Sequence, residues 1–394
     1  MKNGIGKKTL WLVYASRKGG HTYPTYALLS YLKTNYAHLF DARAINLLEH
    51  SFWMSSLEIV GRYGDLKFRK LWRFGYKSLR AESKWFLKIW EKSERLLFYF
   101  DNIVNTLFKK FPTPDLIVSF QPELNAIADH FKKYFLGQWH TVIIDLCLHG
   151  LWVNRAVDFY YVYNEEMKQM LLNKNFNTDQ ILVSGIPLRS QFYEVITKSP
   201  SEIRSQLGIF PNLPTILIIG GLLGTMVNFA EVVSKILNLK YPCQLLVVTG
   251  KNIRAQQQLV EIKTKLKLPI YIYGATDNVA PLMWASDFII SKPGSVTIAE
   301  ALSLGKPMIV VTPEAGSLQE FYFAKLLEEE NVGRWARNLY EIPRLVEELL
   351  TQKDLFVVLS TNAQKKHGHN LNATRIITEN IINVFKKGVI NERR

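Results

Sequence analysis

Three groups of residues in this chain combine types and spacings that could carry out chemistry on an anionic, hydroxyl-bearing substrate. The first is Ser291-Lys-Pro-Gly-Ser-Val-Thr-Ile-Ala-Glu300-Ala-Leu-Ser-Leu-Gly-Lys-Pro307. A helix opening after the bare Gly294, with Ser295 as candidate cap, leaves backbone N–H groups free at the positive end of its dipole. That makes a diphosphate site without any cationic side chain. Glu300 follows one to two turns further in, among Ala, Leu, Ile and Thr. A lone carboxylate there can accept hydrogen bonds from two vicinal hydroxyls, as on a ribose, although an exposed Glu on an amphipathic helix would give the same pattern. The second group is Ser16-Arg-Lys-Gly-Gly-His21, which places an imidazole after the first apolar run. Imidazole is the side chain that takes a proton near neutral pH. The third is Asp145 and His149, at and just after the apolar run Trp139-His-Thr-Val-Ile-Ile-Asp145.

These residues need elements to hold them, and the apolar runs supply candidates. Thr9–Ala15, Pro114–Ser119, Trp139–Asp145, Phe159–Tyr163, Gln180–Ser184, Pro214–Gly220, Gln244–Gly250, Tyr271–Gly274, Asp287–Ser291 and Met308–Thr312 lack polar alternation. Strands buried on both faces of a parallel sheet read this way. Helix-like segments such as Thr22–Leu32, Leu124–Tyr134 and Val279–Ala285 lie between them. In open parallel sheets ligands bind beyond the carboxyl ends of the strands. Parallel pairing therefore brings His21, Asp145 and His149 to one sheet edge, while two later strands run into the glycine turns Gly220-Gly-Leu-Leu-Gly224 and Gly250-Lys-Asn252, where glycine permits close backbone approach. The loop Ser16–His21 has neither the Gly-x-Gly-x-x-Gly nor the Gly-Lys-Ser/Thr spacing. Around Lys198-Ser-Pro-Ser201 a hinge separates residues 1–197 from 198–365. Residues 366–394 form a helical tail with Ile376, Ile377, Ile381, Ile382 and Phe385 on one face.

At 394 residues, 48% apolar and 21% charged, the chain suits two α/β domains rather than one core. Two distant cysteines, Cys147 and Cys243, give neither a disulfide framework nor a zinc quartet and favour a reducing compartment. The run Leu10–Ala15 is cut short by Ser16-Arg17-Lys18 and reads as a first strand rather than a signal peptide. No apolar run reaches membrane-spanning length. The net charge of +15 points to an anionic partner, either nucleic acid or acidic lipid headgroups. From Phe52 to Phe111, Lys and Arg are interleaved with aromatic residues, among them Trp72, Lys84, Trp85, Lys88 and Trp90. Basic and aromatic side chains together suit a membrane interface, although single-strand nucleic acid binding uses the same types, and so does a basic face over core aromatics.

The order of motifs from about Thr9 to Gly333 resembles the GT-B glycosyltransferases of family 28, the group containing monogalactosyldiacylglycerol synthase, processive diacylglycerol glucosyltransferases and MurG. The residues carrying the likeness are Gly19-Gly-His21 with Pro24, Ile144-Asp145-x-x-x-His149-x-x-Trp152 with Val157-Asp158, and Asn164-Glu-Glu166. Ser184-Gly-Ile-Pro-Leu-Arg189-x-x-Phe192, Gly250-Lys-Asn252 and Ser291-Lys-Pro-Gly-x-x-Thr-Ile-x-Glu300 complete it. The resemblance implies two facing Rossmann-like domains with a cleft between them, a UDP-sugar donor on the C-terminal one, and inverting transfer of a hexose to diacylglycerol or a related membrane lipid without metal or cofactor. It implies that Gly294, Ser295 and Val296 hold the diphosphate, Glu300 the ribose, and Ala275 with Thr276 the uracil edge. Gln319 and Glu320 would meet the sugar, with Gly221, Gly250, Lys251 and Asn278 belonging to the same site. His21 would be the leading base, with Asp145 and His149 beside the acceptor hydroxyl. Trp152 and the basic aromatic stretch would face the lipid. The enzyme is expected on the inner face of a membrane, peripheral and cytoplasmic, with no nucleic acid partner. The pattern departs from the family at Lys18, at Ala275 and over Leu318–Phe323, which bears on the donor sugar. Transfer to a polyprenyl-linked acceptor, epimerisation of a UDP-sugar and non-catalytic binding are the alternative readings.

Overall fold

The computed structural model describes residues 7–16, 19–50, 104–125, 127–222, 224, 228–266, 269–312 and 318–391. Trp72, Lys84, Trp85, Lys88 and Trp90 lie outside the described residues. Two compact units are formed, one from residues 1–188 with 372–394 and one from residues 189–371.

In the first unit, β1 (Lys8–Tyr14), β2 (Phe40–Asn46), β3 (Leu116–Ser119), β4 (Gln138–Val142), β5 (Phe159–Val162) and β6 (Ile181–Val183) form one sheet in the order β2-β1-β3-β4-β5-β6. Every neighbouring pair is parallel. The strand direction of winding reverses between β1 and β3, the position at which parallel sheets open a crevice. The helix Thr22–Tyr36 follows β1, and the last helix, Ala373–Asn391, returns to this unit. Its Ile377 and Ile381 are fully buried, Phe385 lies 6.0 Å from Phe40 between ring centres, and Asn380 Oδ1 accepts from Tyr161 Oη at 2.9 Å.

In the second unit, β7 (Thr215–Ile219), β8 (Gln244–Val248), β9 (Ile270–Tyr273), β10 (Phe288–Ser291), β11 (Met308–Val311) and β12 (Gly333–Ala336) lie in the order β12-β11-β10-β7-β8-β9, again all parallel. Counted within the sheet, this is the 3-2-1-4-5-6 winding of dinucleotide-binding domains, with its reversal between β7 and β10. The core is made by strand residues such as Ile216, Ile218, Leu245, Val247 and Ile290, against Phe229, Val232, Ile236 and Leu345 from the flanking helices.

Strands β2 and β12 are additions to the sequence reading. Both are edge strands, with half-buried positions and polar residues, Asp41 and Arg43 in one and Arg334 in the other, so neither shows a continuous apolar run. Residues 122–132 fold as two short helices, Pro122–Asn125 and Ala128–Lys132, where one was expected. The strand before Asp145 ends at Val142, which leaves Asp145 on the loop rather than at the strand end.

Candidate active site

The second unit gathers its candidate residues at the carboxyl edge of the sheet. Gly221 follows β7 and Gly250 follows β8, with φ of +72° and +61°. A side chain on Gly250 would put Cβ 2.4 Å from Gly221 O and 2.5 Å from Leu222 O, so the two turns lie directly against each other. Lys251 N donates to Leu222 O at 2.9 Å, and Asn252 Nδ2 to Gly224 O at 3.1 Å, closing the turns into one surface of backbone. Ala275, Thr276 and Asn278 lie after β9, where Asn278 N donates to Thr276 Oγ1 at 3.1 Å; Ala275 and Asn278 are exposed.

After β10 comes the helix Ser295–Ser303. Gly294 is its N-cap and makes no side-chain capping bond, so Ser295 is the first helical residue and not the cap expected from sequence. The amides of the first turn have no carbonyl partners within the helix, and no acidic side chain stands among them. Val296 is buried. Two cationic groups absent from the sequence reading lie in this unit. Lys292 Cε passes 3.7 Å from where a Cβ on Gly221 would stand, and its Nζ is 3.6 Å from Glu320 Oε1. Arg189 Nη2 donates to Glu300 Oε1 at 2.8 Å. Glu300 is 5% exposed, which rules out the exposed-helix alternative. Burial pushes its carboxyl above the ordinary range, and the Arg189 guanidinium pulls it back only in part. Gln319 and Glu320 are half-buried on the helix Leu318–Glu329 after β11.

The first unit brings together His21, Asp145, His149 and Trp152. His21 directly precedes the helix after β1, and its Nδ1 lies 2.7 Å from Phe120 O, on the loop after β3. A carbonyl can only accept, so Nδ1 carries the hydrogen and the neutral ring keeps its lone pair on Nε2. Asp145 Oδ2 is 3.3 Å from His149 Nε2 and accepts from Trp152 Nε1 at 2.9 Å, and all three residues are buried. Burial pushes Asp145 upward, but the His149 hydrogen bond and charge, the His21 charge and the Trp152 N–H outweigh it and hold the carboxyl below its usual range. Gln121, beside Phe120, is also buried; its Nε2 donates to Glu123 Oε2 at 2.5 Å. Arg189, Lys292, Gln121 and the Phe120 carbonyl were not singled out by sequence. Arg189 and Lys292 stood in quoted motifs without a role, and the partner of Arg189 is 111 residues away.

Among the described residues no group of three or more His, Cys, Asp or Glu comes together to hold a metal ion, and no helix is long and apolar enough to cross a membrane.

Comparison with known proteins divides along the same two units. The monogalactosyldiacylglycerol synthase family model matches residues 21–188, and the glycosyltransferase family 28 C-terminal domain model matches residues 215–377. The processive diacylglycerol beta-glucosyltransferase of Bacillus subtilis (strain 168) is 30% identical over 269 residues, 68% of this chain and 69% of that protein. The protein so named in Staphylococcus carnosus (strain TM300) is 26% identical over 362 residues, 91% of this chain and 88% of its own. Among solved structures, the Neisseria meningitidis UDP-GlcNAc 2-epimerase bound to UDP-GlcNAc is similar with a TM-score of 0.57 at 15% identity, covering 95% of this chain and 100% of that one. Acinetobacter baumannii MurG has a TM-score of 0.57 at 12% identity, with 94% and 99% covered. These two likenesses show the fold alone. Two parallel sheets of this winding, both family models and relatives of this identity agree that the chain belongs to the family 28 glycosyltransferases of GT-B fold, in the group of monogalactosyldiacylglycerol synthases and processive diacylglycerol glucosyltransferases.

Proposed function

We propose that this UDP-sugar-dependent hexosyltransferase moves its hexose, with inversion, to diacylglycerol or a related membrane lipid alcohol, and that His21 is the base. The observation carrying this reading is the bond from His21 Nδ1 to Phe120 O, which leaves Nε2 as the proton acceptor. A lipid hydroxyl holds its proton too tightly to attack unaided at neutral pH. In the proposed step its proton passes to Nε2, its oxygen forms the new bond to C1 of the sugar, and the bond from C1 to the β-phosphate oxygen breaks. UDP leaves with the electron pair. Its growing charge is met by the amides at the start of the Ser295–Ser303 helix and by Lys292. Glu300 accepts from the ribose hydroxyls, and the turns at Gly221, Gly250 with Lys251, and Ala275–Asn278 receive the rest of the nucleotide.

Asp145 is a poorer candidate for the base. Its carboxyl is held low and one oxygen already accepts two donors, so it suits orienting His149 and sustaining positive charge nearby. The reaction needs no cofactor in this reading. The enzyme meets its lipid at the inner face of a membrane, and the basic, aromatic stretch Phe52–Phe111, read from sequence alone, is its membrane-binding segment; Trp152, expected to face the lipid, is instead fully buried against Asp145 and serves the site from within.

Incubation with several radiolabelled UDP-sugars and mixed membrane lipids tests the proposal. A labelled lipid that partitions with diacylglycerol products is the expected result. Label found only in a polyprenyl-linked product, in an altered free UDP-sugar, or in bound but unreacted donor would replace it with transfer to that acceptor, epimerisation or binding alone.

A further inference from the structure

Arg189 opens the second unit and makes contacts that neither unit's sheet requires. Its Nη2 donates to Glu300 Oε1 at 2.8 Å and its Nη1 to Asp277 O at 3.1 Å, while its guanidinium lies 5.5 Å from the Phe192 ring centre. Gln191 adds a second clasp. Its Nε2 donates to the same Asp277 O at 2.7 Å, and its Oε1 accepts from Ala280 N at 2.9 Å. One short segment thus ties the buried carboxylate of the Ser295–Ser303 helix to the loop that bears Thr276 and Asn278.

We propose that Arg189 is a positioning residue for the donor nucleotide, holding Glu300 as a carboxylate with one oxygen left for the ribose hydroxyls and fixing the loop at Asp277 in the same grip. The proposal rests on the reading of Glu300 as the ribose acceptor. Two vicinal hydroxyls both need to donate. An ionised carboxylate offers only acceptors, whereas a protonated one turns one oxygen into a competing donor. A carboxylate this deeply buried neutralises when it has no partner. Arg189 is the charged group that acts on Glu300 among the described residues. The helix packed on its own, Lys353–His367, brings His367, but that ring is bound to Glu330 at 2.9 Å. Lys306, beyond the helix end, lies 4.7 Å from the centre of the Trp284 ring.

The experiment is calorimetry of UDP binding to the full chain between about pH 5 and 8, a span that brackets a buried, raised carboxyl. Each value is taken as a ratio to the unsubstituted protein, which cancels titration of the ligand's phosphate. Arg189→Ala should weaken UDP at least about tenfold at the acid end and recover part of the loss as pH rises. Glu300→Gln should weaken it by a factor that does not shrink as pH rises, and adding Arg189→Ala to Glu300→Gln should cost less than Arg189→Ala alone. Arg189→Lys keeps the charge without the planar fork, and is expected to lose affinity with little pH dependence; it serves if the alanine variant does not fold. Arg189 variants that bind UDP as tightly as the parent at every pH, or whose loss is flat with pH and additive with Glu300→Gln, would overturn the proposal and leave Glu300 standing. Unchanged UDP affinity in folded Glu300→Gln would instead remove the ribose reading on which it rests.

Discussion

Replacing His21 asks directly whether the lone pair on Nε2 does the work assigned to it. The ring needs no reorientation before it accepts a proton. Phe120 O fixes Nδ1–H at 2.7 Å, Phe120 N is itself anchored to Val13 O at 3.0 Å, and Thr25 Oγ1 donates to His21 O at 2.8 Å. A positioned base contributes about 10²–10⁴-fold, which is about 2.7–5.4 kcal/mol at about 1.36 kcal/mol per factor of ten. With the tautomer already selected by the fold, the loss should fall in the upper half of that range, about 10³-fold or more in kcat. His21→Ala removes the base and leaves the Phe120 carbonyl without its donor. His21→Gln is the sharper variant, because its amide N–H can replace the bond to Phe120 O while its carbonyl has no useful basicity. Both should lose kcat alike and keep the parent's affinity for UDP. Steady-state transfer from a radiolabelled UDP-sugar to lipid, with UDP calorimetry alongside, measures each quantity. If the folded glutamine variant keeps kcat within tenfold of the parent, the tautomer argument fails. An inactive Asp145→Asn with active His21 variants would move the base to the Asp145 pair.

Four further substitutions have expected outcomes of their own. Asp145 is held low in the fold, so its ionised form stabilises the protein above its unfolded pKa of about 3.9, and that stability is lost as pH falls through the lower folded value. Asp145→Asn should therefore cost about 1.5–3 kcal/mol near neutral pH, with the gap to the parent closing in acid, as read from denaturant midpoints. Gly250→Ala, at φ +61° and with Cβ forced to 2.4 Å from Gly221 O, should destabilise the chain by more than about 1 kcal/mol and weaken UDP binding. Gly294→Ala, with its nearest neighbour at 3.9 Å, should melt near the parent. Lys84/Lys88/Lys92→Glu, in the stretch read from sequence as membrane-facing, should pellet poorly with anionic vesicles at low salt. The parent's binding should weaken as the Debye length falls from about 10 Å at 0.1 M to about 3 Å at 1 M. Tight, sequence-tolerant binding to single-stranded DNA or RNA, with no pelleting by the parent, would refute the membrane reading.

The fold was legible where burial left its mark on composition. Ten of the strands are largely apolar runs without polar alternation, and each glycine turn sits where one of them ends, so strand and loop could be read together. The two edge strands were hidden because a half-solvated strand is free to carry Asp41, Arg43 or Arg334. Site residues on the loops after strands were equally visible: His21, Gly221, Gly250 and Gly294 all announce themselves by type and position. Partnerships were not. The carbonyl that selects the His21 tautomer is 99 residues away and could be any residue type, since only its backbone is used. Arg189 and Glu300 meet across 111 residues, and nothing local to Glu300 distinguishes a buried, paired carboxylate from an exposed one. Lys292 was passed over because a helix start can bind phosphate without it.

The return of the last helix to the first unit has a consequence for how the chain is made. Residues 189–371 form a contiguous block, so every strand of the second sheet is available once Leu371 has been synthesised. The first unit, although it leads the sequence, still lacks Ala373–Asn391 at that moment, and Phe40, Lys8 and Tyr161 have no Phe385 or Asn380 to meet. During synthesis, then, the second unit is complete before the first. The first waits with an apolar face uncovered until Ala373–Asn391 has been made, which makes it the half of the protein most exposed to misassembly and to chaperones.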